Sequence, residues 1–189
     1  LHYYAVHPTV MDGTGEVTSE FVGLARNRRI EEDPGVAHIY FTGCAGNITA
    51  GKYNDGVTNN RELFTRRIHQ AMLAAESAST RRSLVQMHWK AEHVHLPPRE
   101  DMNEPDLRAT LSEKKTNVKT KSKTAIMLAY LHRQDVPIPI TCLHINDEVG
   151  IVHLPGETFI EYQIQAQKSR PDAFIAVAGY GDLGTGYIT

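Results

Sequence analysis

Cysteine is scarce in this chain, which has only Cys44 and Cys142 among its 189 residues. Two cysteines cannot build a disulfide framework, and they leave no second pair for a zinc site made of cysteines alone. Disulfide-stapled scaffolds and cysteine-only zinc modules are therefore excluded, while the redox compartment stays open.

Charge of one sign and long apolar runs are also missing. The formal net charge is -2 at pH 7, so the chain has no general electrostatic attraction to nucleic acid. No stretch approaches the roughly 20 apolar residues of a membrane-spanning helix, and the first residues lack the basic region and apolar run of a signal peptide. We expect neither a nucleic-acid partner nor a transmembrane segment.

The remaining composition is ordinary for a globular domain. Hydrophobic residues make up 41% and charged residues 22% of the chain, which argues against disorder and fibrous repeats. The length fits one domain of roughly 100 to 200 residues. The unusual features are 10 histidines and a start at Leu1 without methionine, which we interpret as the cut end of a longer protein.

Strand-like and helix-like segments alternate along the chain. Runs of β-branched and aromatic residues predict strands at residues 2–6, 36–41, 84–96, 140–145, 149–154 and 174–178. Apolar residues at helical spacing predict helices at residues 18–29, 60–77, 125–134 and 157–168. In the second helix, Asn59 is the expected N-cap and Glu62 its capping-box partner. Residues 146–148 form a hairpin-like turn, so a purely parallel sheet is not expected.

This alternation predicts a single layered α/β or α+β domain over residues 1–189, with a mixed sheet flanked by helices. Residues 99–124 interrupt the pattern with many charges, including five lysines. Because no aromatic residue is interleaved with these lysines, we interpret the region as a charged, mobile excursion rather than a binding surface.

Two candidate site residues directly follow predicted strands, where side chains often reach a site. His7 is held in extended backbone by the following Pro8. Glu157 is expected to open a helix, whose N-terminal dipole would stabilise the ionised carboxylate. Each residue has a structural alternative, since a lone histidine is commonly structural and a glutamate commonly begins a helix.

Two glycine-rich segments also follow predicted strands. Residues 40–51 could bring backbone N–H groups close to an oxyanion or a phosphate, or could form a tight turn with Cys44 buried. Their spacing differs from nucleotide-binding glycine motifs, so nucleotide binding is disfavoured. In residues 177–187, the phenol of Tyr180 or Tyr187 would suit a metal or a developing oxyanion.

Taken in order, these segments resemble the N-terminal catalytic domain of the neutral/alkaline, non-lysosomal ceramidase family. Ala-Val-His-Pro-Thr at residues 5–9 is similar to that family's Ala-Val-His segment, and Gly-Asn-Ile-Thr at residues 46–49 to its Gly-Asp-Val-Ser loop. Leu-Pro-Gly-Glu at residues 154–157 and Gly-Tyr-Ile-Thr at residues 186–189 resemble the segments with the family's glutamate and tyrosine ligands.

The resemblance implies one zinc ion bound by two histidines, a glutamate and a tyrosine. Carried over by position, the ligands in this sequence are His7, Glu157 and Tyr187, and the family's other histidine lies upstream of the region corresponding to Leu1. The resemblance also implies a small-molecule or lipid-like amide substrate and, since family members are often exported, a secreted or periplasmic location.

The glycine-rich loop departs from the family pattern, because Thr49 replaces the family's serine and Asn47 its aspartate. The β-branch of threonine crowds attack by its hydroxyl, so we expect water activated by zinc to be the nucleophile. In this hypothesis, amides around Gly43, Cys44 and Gly46 stabilise the oxyanion. Thr49 and Asn47 then orient water or substrate.

Two functions from different classes follow. The first is a zinc-dependent hydrolase of the ceramidase-like superfamily that cleaves an amide or related acyl bond. The alternative is a non-catalytic binding or surface module that retains the fold. The altered loop favours the module, and the three ligand candidates favour the hydrolase.

Overall fold

The computed structural model describes residues 1–11, 13–57, 59–181 and 185–189. The chain divides into two compact units, one made of Leu1–Lys90 with Thr141–Thr189 and the other of Ala91–Ile140. Helices accompany strands of mixed direction, so the predicted α/β class with a mixed sheet is confirmed.

The secondary structure follows the alternation expected from the sequence. The strands are β1 (His2–Tyr4), β2 (Tyr40–Thr42), β3 (Met87–Val94), β4 (Ile138–Ile145), β5 (Val149–Pro155), β6 (Glu157–Thr158), β7 (Phe174–Gly181) and β8 (Tyr187–Ile188). The helices are α1 (Glu20–Glu32), α2 (Asn60–Ser77), α3 (Glu104–Ser112), α4 (Val118–His132) and α5 (Ile160–Ser169).

Both parallel and antiparallel pairs occur in the sheets. Strands β1 and β2 form a parallel pair, β3-β4-β5-β7 form a four-stranded sheet in that order, and β6 and β8 form a second parallel pair. The predicted hairpin is confirmed, since β4 and β5 pair antiparallel. Asn146 in its turn has φ 47°, a left-handed conformation that asparagine tolerates.

Helices α1 and α2 pack together through their apolar faces. The rings of Phe21 and Phe64 meet edge to face, with centroids 5.5 Å apart, a favoured aromatic arrangement. The same buried cluster contains Val6, Val22, Ala25, Ile68 and Met72. Because Val6 is anchored in this core, the neighbouring His7 starts from a fixed backbone position.

The predicted capping box of α2 is wrong. The Asn59 side chain makes no cap hydrogen bond, and the Glu62 carboxylate instead accepts a hydrogen bond from the Arg28 guanidinium at 2.7 Å. A salt bridge between α1 and α2 therefore takes the carboxylate that the capping box would have used.

Residues 99–124, expected to be a mobile excursion, carry α3 and the first half of α4. The predicted start of a helix at residue 125 is therefore wrong by seven residues. The Asn103 side chain accepts from the Asp106 N–H, and the Asn117 side chain accepts from the Thr120 N–H. These two caps satisfy helix-end donors, which the weak apolar pattern did not reveal.

Among the described residues, no helix is both long enough and apolar enough to cross a lipid bilayer.

Candidate functional site

His7 is held at the end of a short parallel contact between two segments. His7 forms an isolated parallel β-bridge with Thr49, and its backbone N–H donates to the Ile48 carbonyl at 2.9 Å. The imidazole Nδ1 lies 3.1 Å from the same carbonyl oxygen. Since a carbonyl only accepts, Nδ1 carries the proton, and Nε2 presents a lone pair in the neutral ring.

Glu157 lies in β6 rather than in a helix, so the prediction that it opens a helix is wrong. Its backbone N–H donates to the Gly186 carbonyl at 2.8 Å, and Phe159 N–H donates to the Ile188 carbonyl at 3.1 Å. This pairing with β8 keeps the chain extended until α5 begins at Ile160. The helix-dipole argument for an ionised Glu157 therefore does not apply.

The structure brings His7 and Glu157 together from positions 150 residues apart. His7 Nε2 lies 3.2 Å from Glu157 Oε2, and the two side chains are 27% and 29% exposed. When Nδ1 carries the only ring proton, Nε2 and Oε2 face each other as two lone-pair donors, and a metal cation between them would be attracted by both. The pair is also open enough to be reached from solvent.

Tyr180 approaches the same imidazole nitrogen. Its hydroxyl lies 3.1 Å from His7 Nε2, and the two rings meet edge to face. Burial, followed by the negative charge of Glu157, raises the pKa of the Tyr180 phenol to about 12. Tyr180 has φ 59°, a conformation that costs a bulky residue about 1–3 kcal/mol.

Tyr187 lies beside Glu157 through backbone pairing, because the two residues are partners in the parallel β6–β8 register. Hydrogen bonding to the Glu157 carboxylate and the charge of that group raise the pKa of the Tyr187 phenol. The glycine-rich segment at residues 177–187 thus supplies two phenols, of which the resemblance assigned only Tyr187. Within residues 177–187, residues 182–184 lie outside the described residues.

The site contains few metal-binding side chains of the commonest kinds. In the part of the chain that the structure describes, no three histidine, cysteine, aspartate or glutamate side chains are grouped to hold a metal ion. His7 and Glu157 form a pair, and the phenols of Tyr180 and Tyr187 are the further oxygen donors beside it.

The amides expected to form an oxyanion site donate to protein acceptors instead. Gly43 N–H donates to the Tyr4 carbonyl at 3.2 Å, Cys44 N–H to Gln163 Oε1 at 3.0 Å, and Gly46 N–H to the Thr158 carbonyl at 3.0 Å. None of the three is free to stabilise an oxyanion in this structure. The predicted oxyanion site at Gly43, Cys44 and Gly46 is therefore wrong for this structure. These amides instead hold the loop against β1, β6 and α5.

Gly46 allows a close approach of protein backbone rather than of a ligand. A Cβ atom at this position would lie 2.9 Å from Cδ1 of Phe159 and 3.1 Å from the carbonyl carbon of Glu157. Glycine is therefore needed for the loop to pack against the strand that carries Glu157.

Both polar atoms of the Asn47 side chain are hydrogen-bonded within the protein. Its Oδ1 accepts the Ile160 N–H at 2.9 Å, and its Nδ2 donates to Glu161 Oε2 at 2.9 Å. Ile160 and Glu161 begin α5, so Asn47 satisfies a donor at the helix N-terminus. The expectation that Asn47 orients water or substrate is replaced by this structural role.

Thr49 and Cys44 differ in their access to solvent. Thr49 is exposed and bridges His7, and its hydroxyl lies 3.4 Å from the Thr9 hydroxyl. Cys44 is fully buried, and its Sγ accepts a hydrogen bond from the Thr158 hydroxyl. Burial raises the pKa of the Cys44 thiol, which disfavours a nucleophilic thiolate.

Comparison with solved structures finds a ceramidase complexed with C2 that is similar to this chain. The likeness has a TM-score of 0.66 and 14% sequence identity, and it covers 99% of this chain and 39% of that chain. The fold is ceramidase-like. No family model matches the chain, and the search of curated proteins finds no match.

The ceramidase-like fold explains which expected residues meet. It brings together His7, Glu157 and Tyr187, which lie far apart in the sequence, and it places Thr49 next to His7. The chain spans about two fifths of the ceramidase chain that it matches. Sequence reasoning missed Gln163, whose position on a helix face gave no sign of its bond to the Cys44 amide.

Proposed function

We propose that this chain is a zinc-dependent hydrolase that cleaves an amide or related acyl bond in a small-molecule or lipid-like substrate. The observation that carries the proposal is the contact between His7 Nε2 and Glu157 Oε2 at 3.2 Å. Two lone-pair donors from distant segments, each fixed by backbone pairing, would supply part of a zinc ligand set, which needs three or four protein ligands. The ceramidase-like fold supports an acyl-bond substrate.

The donor set fits zinc in chemistry and in spacing. Neutral imidazole nitrogen and carboxylate oxygen are zinc ligands, and bond lengths of 2.0–2.2 Å in a tetrahedral site separate neighbouring donors by about 3.3 Å. The 3.2 Å between Nε2 and Oε2 is close to this separation. We propose that His7, Glu157 and Tyr187 hold the ion, which when bound would polarise an acyl carbonyl and acidify water.

The chain's own residues orient this chemistry. The Nδ1–H of His7 donates to the Ile48 carbonyl, which fixes the tautomer and the direction of Nε2. Thr49 is exposed and lies next to His7, which supports a hydrogen bond from its hydroxyl to a water or a substrate oxygen. We assign Thr49 a positioning role rather than that of a nucleophile, because its β-branch crowds attack.

Thr49→Val is expected to retain turnover, reduced by roughly 10-fold to 100-fold. Valine keeps the shape of the side chain but removes the hydroxyl, and the loss of one positioning hydrogen bond falls in this range. Hydrolysis of N-acyl amides of graded chain length, including a ceramide, measures the effect, with zinc content determined on the same samples.

Complete loss of hydrolysis in Thr49→Val with zinc still bound would contradict a metal-bound water as the nucleophile and favour the hydroxyl. Thr9→Val is the matched control, because it removes the hydroxyl that faces Thr49 at 3.4 Å and is expected to have less effect. Activity of the unmodified chain that survives full removal of zinc by a chelator would contradict zinc dependence.

A non-catalytic binding module is the second candidate. The specific observation in its favour is that the amides of Gly43, Cys44 and Gly46 and both ends of the Asn47 side chain are already engaged within the protein. In this case, the chain would bind the same acyl compounds without hydrolysing them. Binding measured by calorimetry, with no product after prolonged incubation with zinc, would favour the module.

A further inference from the structure

Tyr180 contacts His7 Nε2, the nitrogen proposed to bind the metal. Its hydroxyl lies 3.1 Å from His7 Nε2, while Glu157 Oε2 lies 3.2 Å from the same nitrogen. The sequence offered Tyr180 or Tyr187 as a partner for a metal or an oxyanion, and the resemblance to ceramidases assigned only Tyr187. Both distances from Nε2 are close to the separation of about 3.3 Å between neighbouring donors around a zinc ion.

We propose that Tyr180 is a further metal ligand, which binds through its phenol oxygen beside His7 and Glu157; this inference rests on the proposed function. On coordination, the O–H bond of the phenol breaks, the proton passes to solvent, and an oxygen–metal bond forms. No oxidation or reduction takes place. With Tyr187, this chain would then supply four donors, and water or the acyl oxygen would bind as a fifth ligand.

The backbone around Tyr180 is held in place by several contacts. The Tyr180 N–H donates to the Gly156 carbonyl at 2.9 Å, directly before Glu157 in the chain. The two flanking glycines pack closely against other segments. A Cβ added to Gly179 would lie 2.9 Å from the Gly43 carbonyl oxygen, and a Cβ added to Gly181 would lie 2.8 Å from the Leu154 carbonyl oxygen. These contacts therefore keep Tyr180 in its left-handed conformation, with its phenol oxygen next to His7 Nε2.

This geometry links Tyr180 to both proposed ligands independently. Its backbone N–H is hydrogen-bonded to Gly156, the residue before Glu157, and its hydroxyl is within hydrogen-bond distance of His7 Nε2. A tyrosine that only packed against the imidazole ring would not need its hydroxyl on Nε2. A strained residue held by surrounding structure is a recurring feature of ligand-binding sites.

Titration of zinc into the metal-stripped chain, followed by near-ultraviolet difference absorption, tests this role. Tyrosinate bound to zinc has an absorption band that neutral phenol lacks, so the band counts coordinated tyrosines. We expect the band in the unmodified chain, a smaller band in Tyr187→Phe that is due to Tyr180, and none in the double variant. Tyr180→Phe is expected to bind zinc roughly 10-fold to 100-fold more weakly.

Tyr53→Phe is the matched control, because Tyr53 is 61% exposed and contacts Lys52 and Arg67 rather than the site. It should leave both the band and the zinc affinity unchanged. The Phe variants keep the aromatic ring and the backbone of Tyr180, and circular dichroism checks that each one is folded.

The outcomes separate this inference from the proposed function. If the unmodified chain binds zinc but Tyr187→Phe has no tyrosinate band, Tyr180 is not a ligand, whatever the affinity of Tyr180→Phe. If Tyr180→Phe also binds zinc as tightly as the unmodified chain, Tyr180 has no role toward the metal. If the unmodified chain binds no zinc, both proposals fail together.

Discussion

His7→Ala is expected to weaken zinc binding by more than about 100-fold and to abolish hydrolysis of the amide substrate. The loss of a residue that merely supports a metal ligand costs about 10-fold to 100-fold in affinity, and loss of the ligand itself should cost more. His7 Nε2 also lies 3.2 Å from Glu157 Oε2 and 3.1 Å from the Tyr180 hydroxyl. Its removal leaves the remaining oxygen donors without their nitrogen partner.

His88→Ala is the matched control for this experiment. His88 is exposed on β3, and its Nε2 lies 3.3 Å from the side-chain oxygen of Gln86, away from the site. Zinc affinity by calorimetry and hydrolysis rates should be unchanged in this variant. Equal zinc affinity in His7→Ala and the unmodified chain would contradict the assignment of His7.

Gly46→Ala is expected to lower the free energy of unfolding by about 1–3 kcal/mol, the usual cost of overpacking a close contact. The added methyl group would press on the Glu157 backbone, which lies 3.1 Å away at its carbonyl carbon, and on the Phe159 ring. Because backbone cannot yield as a flexible side chain does, β6 should shift together with Glu157. We expect zinc affinity to fall by roughly 10-fold or more as well.

Urea denaturation and zinc titration of the same Gly46→Ala protein measure these two effects. Gly35→Ala is the matched control, since an added Cβ there would meet only Asp33 Oδ1, at 3.8 Å. It should change the stability by less than about 0.5 kcal/mol. Wild-type stability of Gly46→Ala would show that the loop does not pack against β6 as described.

The fold could be predicted largely from local patterns. Alternating strands and helices gave the mixed α/β class, and the turn at residues 146–148 gave the antiparallel pair β4–β5. The starts of helices were less predictable. Asn103 and Asn117 cap α3 and α4 where apolar periodicity is weak, and Glu157 is drawn into β6 by distant pairing with Tyr187.

The candidate site was predictable in its residue types but not in its contacts. The segments after strands contained His7, Glu157 and Tyr187, which the fold brings together. The glycine-rich loop misled sequence reasoning, because a run of glycines allows close approach to protein backbone as well as to a ligand. Only the structure shows that the Gly46 amide donates to Thr158.

Zinc titration of the metal-stripped chain by calorimetry, compared with Glu157→Gln, tests the central claim most directly. Gln keeps the size of the side chain but removes the charge that a zinc ligand supplies. We expect the unmodified chain to bind a single equivalent of zinc and to release protons, and we expect Glu157→Gln to bind zinc more than about 100-fold more weakly. Absence of stoichiometric zinc in the unmodified chain, or equal binding by both proteins, would contradict this claim.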